Sequence, residues 1–414
     1  MTSFHYVNDA LFAEDVALTE IANAHGTPTY VYSRTDIETA YTSFEQAFAA
    51  HPHRVCYSVK ANSNLGVLNI LARLGAGFDI VSGGELQRVL RAGGDAASVV
   101  FSGVGKTAAE IQMALQAKIA CFNVESAAEL DSLQTIAAGL GLVAPISIRV
   151  NPDVDPGTHP YIATGLKENK FGVSSDIAVE MYQRAATMNN INIVGIDCHI
   201  GSQITELSPL TDALGEVLQL VDDLEHEGIT LDHIDLGGGL GVCYKDEQPI
   251  AVEDYASAVL QTMGRHSQKL LFEPGRYIVA NAGILLSRVE LTKQNGDHHF
   301  AVVDAAMNDL IRPALYNAWQ KVSAVELHGD PETWSVVGPV CETGDFLAHD
   351  RELAITTGDL IAVHSSGAYG FVMSSNYNSR NRAAEVIVSG SNHYCVRQRE
   401  TIDDQLRLET TLSD

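Results

Sequence analysis

A chain of 414 residues, 46% hydrophobic and 19% charged, is too long for one ordinary core and has the composition of a well-packed globular protein, so two domains are expected. Its formal net charge of −26, from 52 acidic against 26 basic residues, argues against nucleic acid and anionic membrane as partners, because both need a basic surface. The six cysteines (56, 121, 198, 243, 341 and 395) form no C-x-x-C pair, the N-terminus lacks a basic-then-apolar leader, and no apolar run approaches a membrane span; a soluble, cytoplasmic protein is expected.

Along the chain, TPTYVYS (27–33) is an extended run that precedes the first helix and can pair with a later sheet. From about residue 55 to 280, short β-rich runs alternate with helical patterns. The strand candidates are VCYSV (55–59), FDIVS (78–82), VVFSG (99–103), ACFNV (120–124), ISIRV (146–150), VGIDCHI (194–200), HIDLG (233–237) and KLLFE (269–273). Between them, 65–74, 85–92, 108–116, 127–138, 177–188 and 210–227 carry apolar residues at helical spacing. Eight buried, non-alternating strands separated by helices point to a parallel sheet. Eight βα units over roughly 250 residues match a closed (β/α)8 TIM barrel over 36–280, with an open doubly wound sheet, which rarely needs eight such units, as the alternative. After residue 280 the texture changes to strands bounded by Gly, Asp and Asn: LLSRVELTKQ, HHFAVVDA, WSVVGPVC, ELAITT, LIAVHSS and AAEVIVSG. Helical pattern remains at 310–320 and near 369–373. Residues 1–35 plus 281–414 therefore read as a second, β-rich domain of sandwich or barrel type.

In a TIM barrel, function gathers at the C-terminal ends of the strands. Lys60 follows the first strand, and a lysine where a buried strand opens into a loop suits either Schiff-base chemistry with a carbonyl or an ordinary solvated strand end. Asp79 and Ser82 end the second strand, and Arg149 and Asn151 close the fifth. His199, Gly201 and Ser202 follow the sixth, Gly237, Gly238 and Gly239 the seventh, and Glu273, Gly275 and Arg276 the eighth. The glycine cluster suits either a phosphate cradle or a tight turn. It is no dinucleotide fingerprint, because G-x-G-x-x-G fails in every register, and GVGKT (103–107) is no P-loop, because position 100 is Val100. Glu273 suits a protonated ring nitrogen or an ordinary strand end. His199 suits ring stacking, acid–base work or a satisfied core position. His298 and His299 are adjacent rather than at ligand spacing, so no metal is expected. In the second domain, Arg312 and Tyr316 are four apart and can clamp a carboxylate from one helical face. Cys341 and Glu342 lie in the Gly/Pro-rich run GPVCETGDFL, and Tyr369 stands between glycines.

Those residues fall in YSVKAN, HIGSQ, GGGLG, EPGR, RPALYNA, GPVCETGD and AYGFVMSSNYNSR. Over about residues 25–400 the chain resembles the diaminopimelate decarboxylase family, pyridoxal-phosphate enzymes of the alanine-racemase-like barrel group (fold type III). The resemblance implies that Lys60 carries pyridoxal 5'-phosphate, His199 stacks on its ring and Glu273 faces its pyridine nitrogen. It implies further cofactor contacts from Asp79, Ser202, Gly237, Gly238, Gly239, Gly275, Arg276 and Tyr369. Arg276, Arg312, Tyr316, Glu342 and Tyr369 are implied to bind substrate, and Cys341 to donate a proton. A homodimer is implied in which Cys341 and Glu342 serve the neighbouring subunit. The implied reaction converts meso-2,6-diaminopimelate to L-lysine and CO2. A related ornithine, lysine or arginine decarboxylase is the alternative, although such substrates lack the distal carboxylate that the arginine pair answers. Asn381 stands where the family pattern commonly has proline.

Overall fold

The computed structural model describes residues 3–154 and 170–412, and its contacts divide the chain into two compact units. One unit comprises residues 38–243 and 247–278 and contains a closed, all-parallel barrel. Its strands are β1 (His53–Ser58), β2 (Gly77–Ile80), β3 (Val99–Phe101), β4 (Cys121–Val124), β5 (Ala144–Val150), β6 (Ile191–Cys198), β7 (His233–Asp235) and β8 (Lys269–Phe272). They pair in chain order, β8 returns to β1 and β5 pairs with β6 to complete the ring. Strands covered on both faces need apolar residues throughout, hence the unbroken runs.

The intervening helices begin beside the C-terminal ends of the strands, and side-chain caps define several of these starts. Ser82 Oγ accepts from Glu85 N at 3.2 Å, and Ser126 Oγ from Glu129 N at 3.2 Å. Thr107 and Glu110 form a reciprocal capping box. Each cap satisfies an N–H that would otherwise be orphaned in the first turn. Two details differ from the sequence expectation. The first strand ends at Ser58 rather than Val59, and Val59–Ala61 forms a single 3-10 turn that carries Lys60. A helix at Val252–Met263 buries Val252, Tyr255, Ala256, Val259 and Met263. That 3–4 spacing was present in the chain, but two acids and several small residues dilute it.

The other unit comprises residues 1–37, 244–246 and 279–414. Its main sheet runs Phe346–Leu353, Glu332–Val337, His298–Val303, Gly283–Asn295, Thr29–Ser33, Ala384–Ser389, Asn392–Arg397, with Leu360–Val363 and Val322–Ala324 paired beside it. Thr29–Ser33 pairs antiparallel with Gly283–Asn295 and parallel with Ala384–Ser389, as the extended TPTYVYS run leads one to expect. A further three-stranded sheet, Phe4–Val7, Ala10–Ala13 and Val16–Ala17, was not anticipated. Its core joins Leu11, Leu18, Ile21, Val31, Ile284 and Leu286, each such buried side chain contributing roughly 1.5–3 kcal/mol. The helix expected over 310–320 is shorter, Arg312–Tyr316, because Asn317 takes a left-handed cap at φ 50°.

Candidate active site

Alternate residues of a strand face the same way, so the barrel interior is built in layers. The lower layer is small and apolar, with Cys56, Val100, Cys121 and Leu271 packed together. Two residues further along each strand the character inverts: Ser58, Asp79, Ser102, Asn123, Arg149, Asp197, Asp235 and Glu273 are all buried. Asp197 stands opposite Arg149 on β5 and opposite Asp235 on β7. Register therefore sets a guanidinium and two carboxylates side by side on one inner wall.

Lys60 Nζ donates to Asp79 Oδ2 at 2.9 Å, and Ser58 Oγ donates to the same oxygen at 2.6 Å. The lysine side chain is 34% exposed and Asp79 fully buried, so the amine is tethered to a counter-charge rather than buried alone. Oxygens of Asp197, Asp235 and Glu273 converge within 4.8 Å. Glu273 Oε1 accepts long bonds from Ser102 Oγ (3.3 Å) and Asn123 Nδ2 (3.5 Å). Burial, then the charges of Asp235, Asp79 and Asp197, pushes the Glu273 carboxyl well above the usual range, against the pull of Lys60. Burial likewise raises Asp197 well up and takes Asp235 to about 6.

Arg149 pairs with Glu125 at 3.4 Å and lies 3.7 Å from Asp197. Burial opposes its charge, yet Asp197 and Glu125 hold it above its ordinary value. Glu125 also accepts from Gly103 N (2.9 Å) and Gly172 N (3.0 Å), tying the loops after β3 and β5 to the arginine. His199 is held in its neutral form by burial and by the nearby Arg149 and Lys60 charges. Its Nδ1 accepts from Gly238 N at 3.2 Å, so the ring proton resides on Nε2.

The glycine loop follows β7. Asp235 Oδ1 accepts from Gly237 N at 2.9 Å, a turn that starts the loop. Gly237 has φ +63°, and a Cβ there would lie 2.6 Å from His199 Nδ1; one on Gly238 would lie 2.4 Å from the Glu273 carbonyl oxygen. The loop thus passes against β8 at a distance only glycine allows. Ser202 Oγ accepts from Arg276 Nε (3.3 Å) and Nη2 (3.0 Å), and Gly275 is packed against Ser58 and Ala61. Lys60, Asp79, His199, Ser202, the three glycines, Glu273, Gly275 and Arg276 all belong to this one unit.

In the other unit, the buried Arg312 guanidinium stacks on Tyr316 (5.7 Å) and on Tyr244 (5.3 Å). Cys341 and Glu342 are exposed. Cys341 N donates to Asn378 Oδ1 at 2.8 Å, and Tyr377 Oη donates to Glu342 at 3.3 Å. Tyr369 is half-buried with φ 56°, a left-handed conformation that non-glycine residues seldom adopt.

The model of the pyridoxal-dependent decarboxylase family's pyridoxal binding domain matches residues 34–280. A diaminopimelate decarboxylase from Pseudomonas aeruginosa is 59% identical over 413 residues, covering 100% of both chains. The chain belongs to the diaminopimelate decarboxylase family. Among solved structures, the Helicobacter pylori diaminopimelate decarboxylase complexed with L-lysine superposes with TM-score 0.92 at 42% identity, covering 94% of this chain and 98% of that one. The M. jannaschii diaminopimelate decarboxylase in complex with L-lysine gives 0.96 at 37%, covering 100% and 99%.

The barrel residues fit the pyridoxal phosphate of this family chemically. They offer an amine held on a counter-ion, a glycine loop that no Cβ could occupy, an arginine beside a serine, and a buried acid suited to a protonated nitrogen. Asp197 and Asp235 were missed from the sequence, as was Glu125. The signal was there: FDI, GID and HID each place one aspartate in an otherwise apolar strand, which burial does not tolerate without a purpose.

Proposed function

We propose that this protein decarboxylates meso-2,6-diaminopimelate to L-lysine and CO2 with pyridoxal 5'-phosphate. The observation that carries the reading is the barrel mouth, where Lys60 on Asp79 belongs to the same polar layer as the buried acid Glu273. Bound pyridoxal phosphate supplies an electron sink for the carbanion left by CO2. Lys60 is the residue we assign to hold it covalently, with Asp79 orienting the amine. His199, neutral and pinned by Gly238, presents its ring face as a wall. Gly237, Gly238, Gly239, Gly275, Ser202 and Arg276 form the set assigned to the phosphate, since backbone N–H groups and a guanidinium suit an anion. Glu273 is the residue that would hold a proton at the ring nitrogen.

For the substrate we assign Arg276, Arg312, Tyr316, Glu342 and Tyr369. Its distal end carries both an amine and a carboxylate, which calls for an acid together with cations. Arg312 is supported by its stacking on Tyr316, which restrains the fork before any ligand arrives. Cys341 is assigned as proton donor to the carbon that loses CO2. Its exposure, with that of Glu342, supports a homodimer in which both serve the partner's site. A cytoplasmic location is supported by the six free cysteines, and among the described residues no helix is long and apolar enough to cross a membrane.

The test compares CO2 release from meso-diaminopimelate, ornithine, lysine and arginine. Fastest turnover of meso-diaminopimelate, with L-lysine as product, is expected. Faster turnover of ornithine or arginine would sink the substrate assignment.

A further inference from the structure

The polar layer of the barrel contains more carboxylate oxygen than its donors satisfy. Asp197, Asp235 and Glu273 are buried, with oxygens within 4.8 Å of one another. Asp235 turns Oδ1 to the Gly237 N–H, while its Oδ2 is buried with no partner at ordinary hydrogen-bond geometry, although Asn123 and Glu273 both lie close to the carboxyl. Asp197 repeats the pattern: Arg149 stands near Oδ2, and Oδ1 is buried without a donor. Ionised carboxylates at this separation repel, and each donorless oxygen carries a desolvation cost. One proton eases the repulsion and supplies one of the two missing donors, because it turns one carboxyl into the donor its neighbour lacks.

We propose that Asp235 and Glu273, with Asp197 as third member, share a proton before the cofactor is loaded, and that Asp235 is the positioning residue that keeps Glu273 a donor. The inference rests on the pyridoxal-phosphate reading above. On loading, Glu273 would give up its O–H proton and an N–H bond would form at the ring nitrogen. The electron pair stays on the carboxylate, so the cluster gains one negative charge as the ring gains one positive charge. The same Asp235 side chain starts the glycine loop, linking the loop's placement to the state of the acid.

The surroundings leave the cluster short of positive charge. Asp79 faces it from β2, and the cations are Lys60, already on Asp79, and Arg149, shared with Glu125. Cys56, Cys121 and Tyr255 face it as neutral groups, burial holding each above its ordinary range. The upward push on all three acids agrees with a retained proton.

The experiment is infrared difference spectroscopy of apoprotein across pH, then during loading with pyridoxal phosphate. A protonated-carboxyl band at pH 7 that disappears on loading is expected. Asp235→Asn keeps an acceptor for Gly237 N but removes a charge; it should lower the pH midpoint of that band by about one to two units. Asp235→Ala also loses the acceptor and should weaken cofactor binding roughly tenfold. If Asp235→Asn does not fold, Asp197→Asn should lower the midpoint in the same direction. A wild-type cluster fully ionised at pH 7, an unchanged midpoint in the folded variant, or a stoichiometric metal ion in the apoprotein overturns the proposal. Failure of wild type to form a borohydride-reducible adduct at Lys60 would instead refute the functional reading, leaving the infrared band to decide the proton separately.

Discussion

Replacing Gly238 by alanine should separate cofactor binding from folding. The new Cβ would sit 2.4 Å from the Glu273 carbonyl oxygen, where ordinary contact begins at 3.4 Å, so the loop must retreat by about 1 Å. The oxygen is backbone and the position of a Cβ is fixed by its own backbone, so neither can rotate away. The retreat also stretches the Gly238 N–H bond to His199 Nδ1, already 3.2 Å long. Overpacking of this kind costs about 1–3 kcal/mol, and the weakened hydrogen bond adds about 1 kcal/mol. Because the loop relieves this strain by retreating in the apoprotein, cofactor must restore the close approach, and the roughly 2–4 kcal/mol appears as a 30- to 1,000-fold loss of cofactor affinity. Apoprotein titrated with pyridoxal phosphate, followed by absorbance, measures it. Gly215→Ala is the control: nothing lies within 4 Å of its Cβ, and it sits inside the Leu207–His226 helix. That variant should gain about 0.5–1 kcal/mol of stability and bind cofactor as wild type does. Affinity of Gly238→Ala within threefold of wild type would refute the close-approach argument.

Three further outcomes are expected. Glu273→Gln should retain the Lys60 adduct but lose roughly 100- to 1,000-fold in turnover, read as kcat with cofactor saturating; an unimpaired kcat would remove Glu273 from the chemistry. Lys106 is only 1% exposed and holds Glu129, itself 8% exposed, at 2.7 Å. Lys106→Met should therefore cost about 3–5 kcal/mol in urea unfolding by stranding a buried carboxylate. Asp235, raised from 3.8 to about 6 when folded, binds its proton more tightly in the native state. Apoprotein stability should fall as pH rises from about 4 to 6, and chemical denaturation of Asp235→Asn should lack that part of the slope.

The barrel was legible because parallel strands buried on both faces read as apolar runs, and because each ended in a polar or glycine residue. Strand ends were therefore visible as positions, which is how Lys60, His199 and Glu273 stood out. What lies inside was not legible as a set. Whether Asp197 and Asp235 meet Glu273 depends on strand register and barrel closure, and neither is written in any one segment. Lys60 illustrates the same limit. Its place at a strand end could be read from VKAN, but its tether comes from Asp79, nineteen residues away. In the β-rich unit, Val322–Ala324 and the first three strands were overlooked because pairing partners, not their own two to four residues, make them strands.

Borohydride reduction of the cofactor-loaded protein, followed by peptide mapping, is the measurement on which the assignment stands. A single pyridoxyl adduct on the peptide containing Lys60, absent in Lys60→Ala, is the expected result. No adduct, or one that maps to another lysine and survives Lys60→Ala, would contradict it.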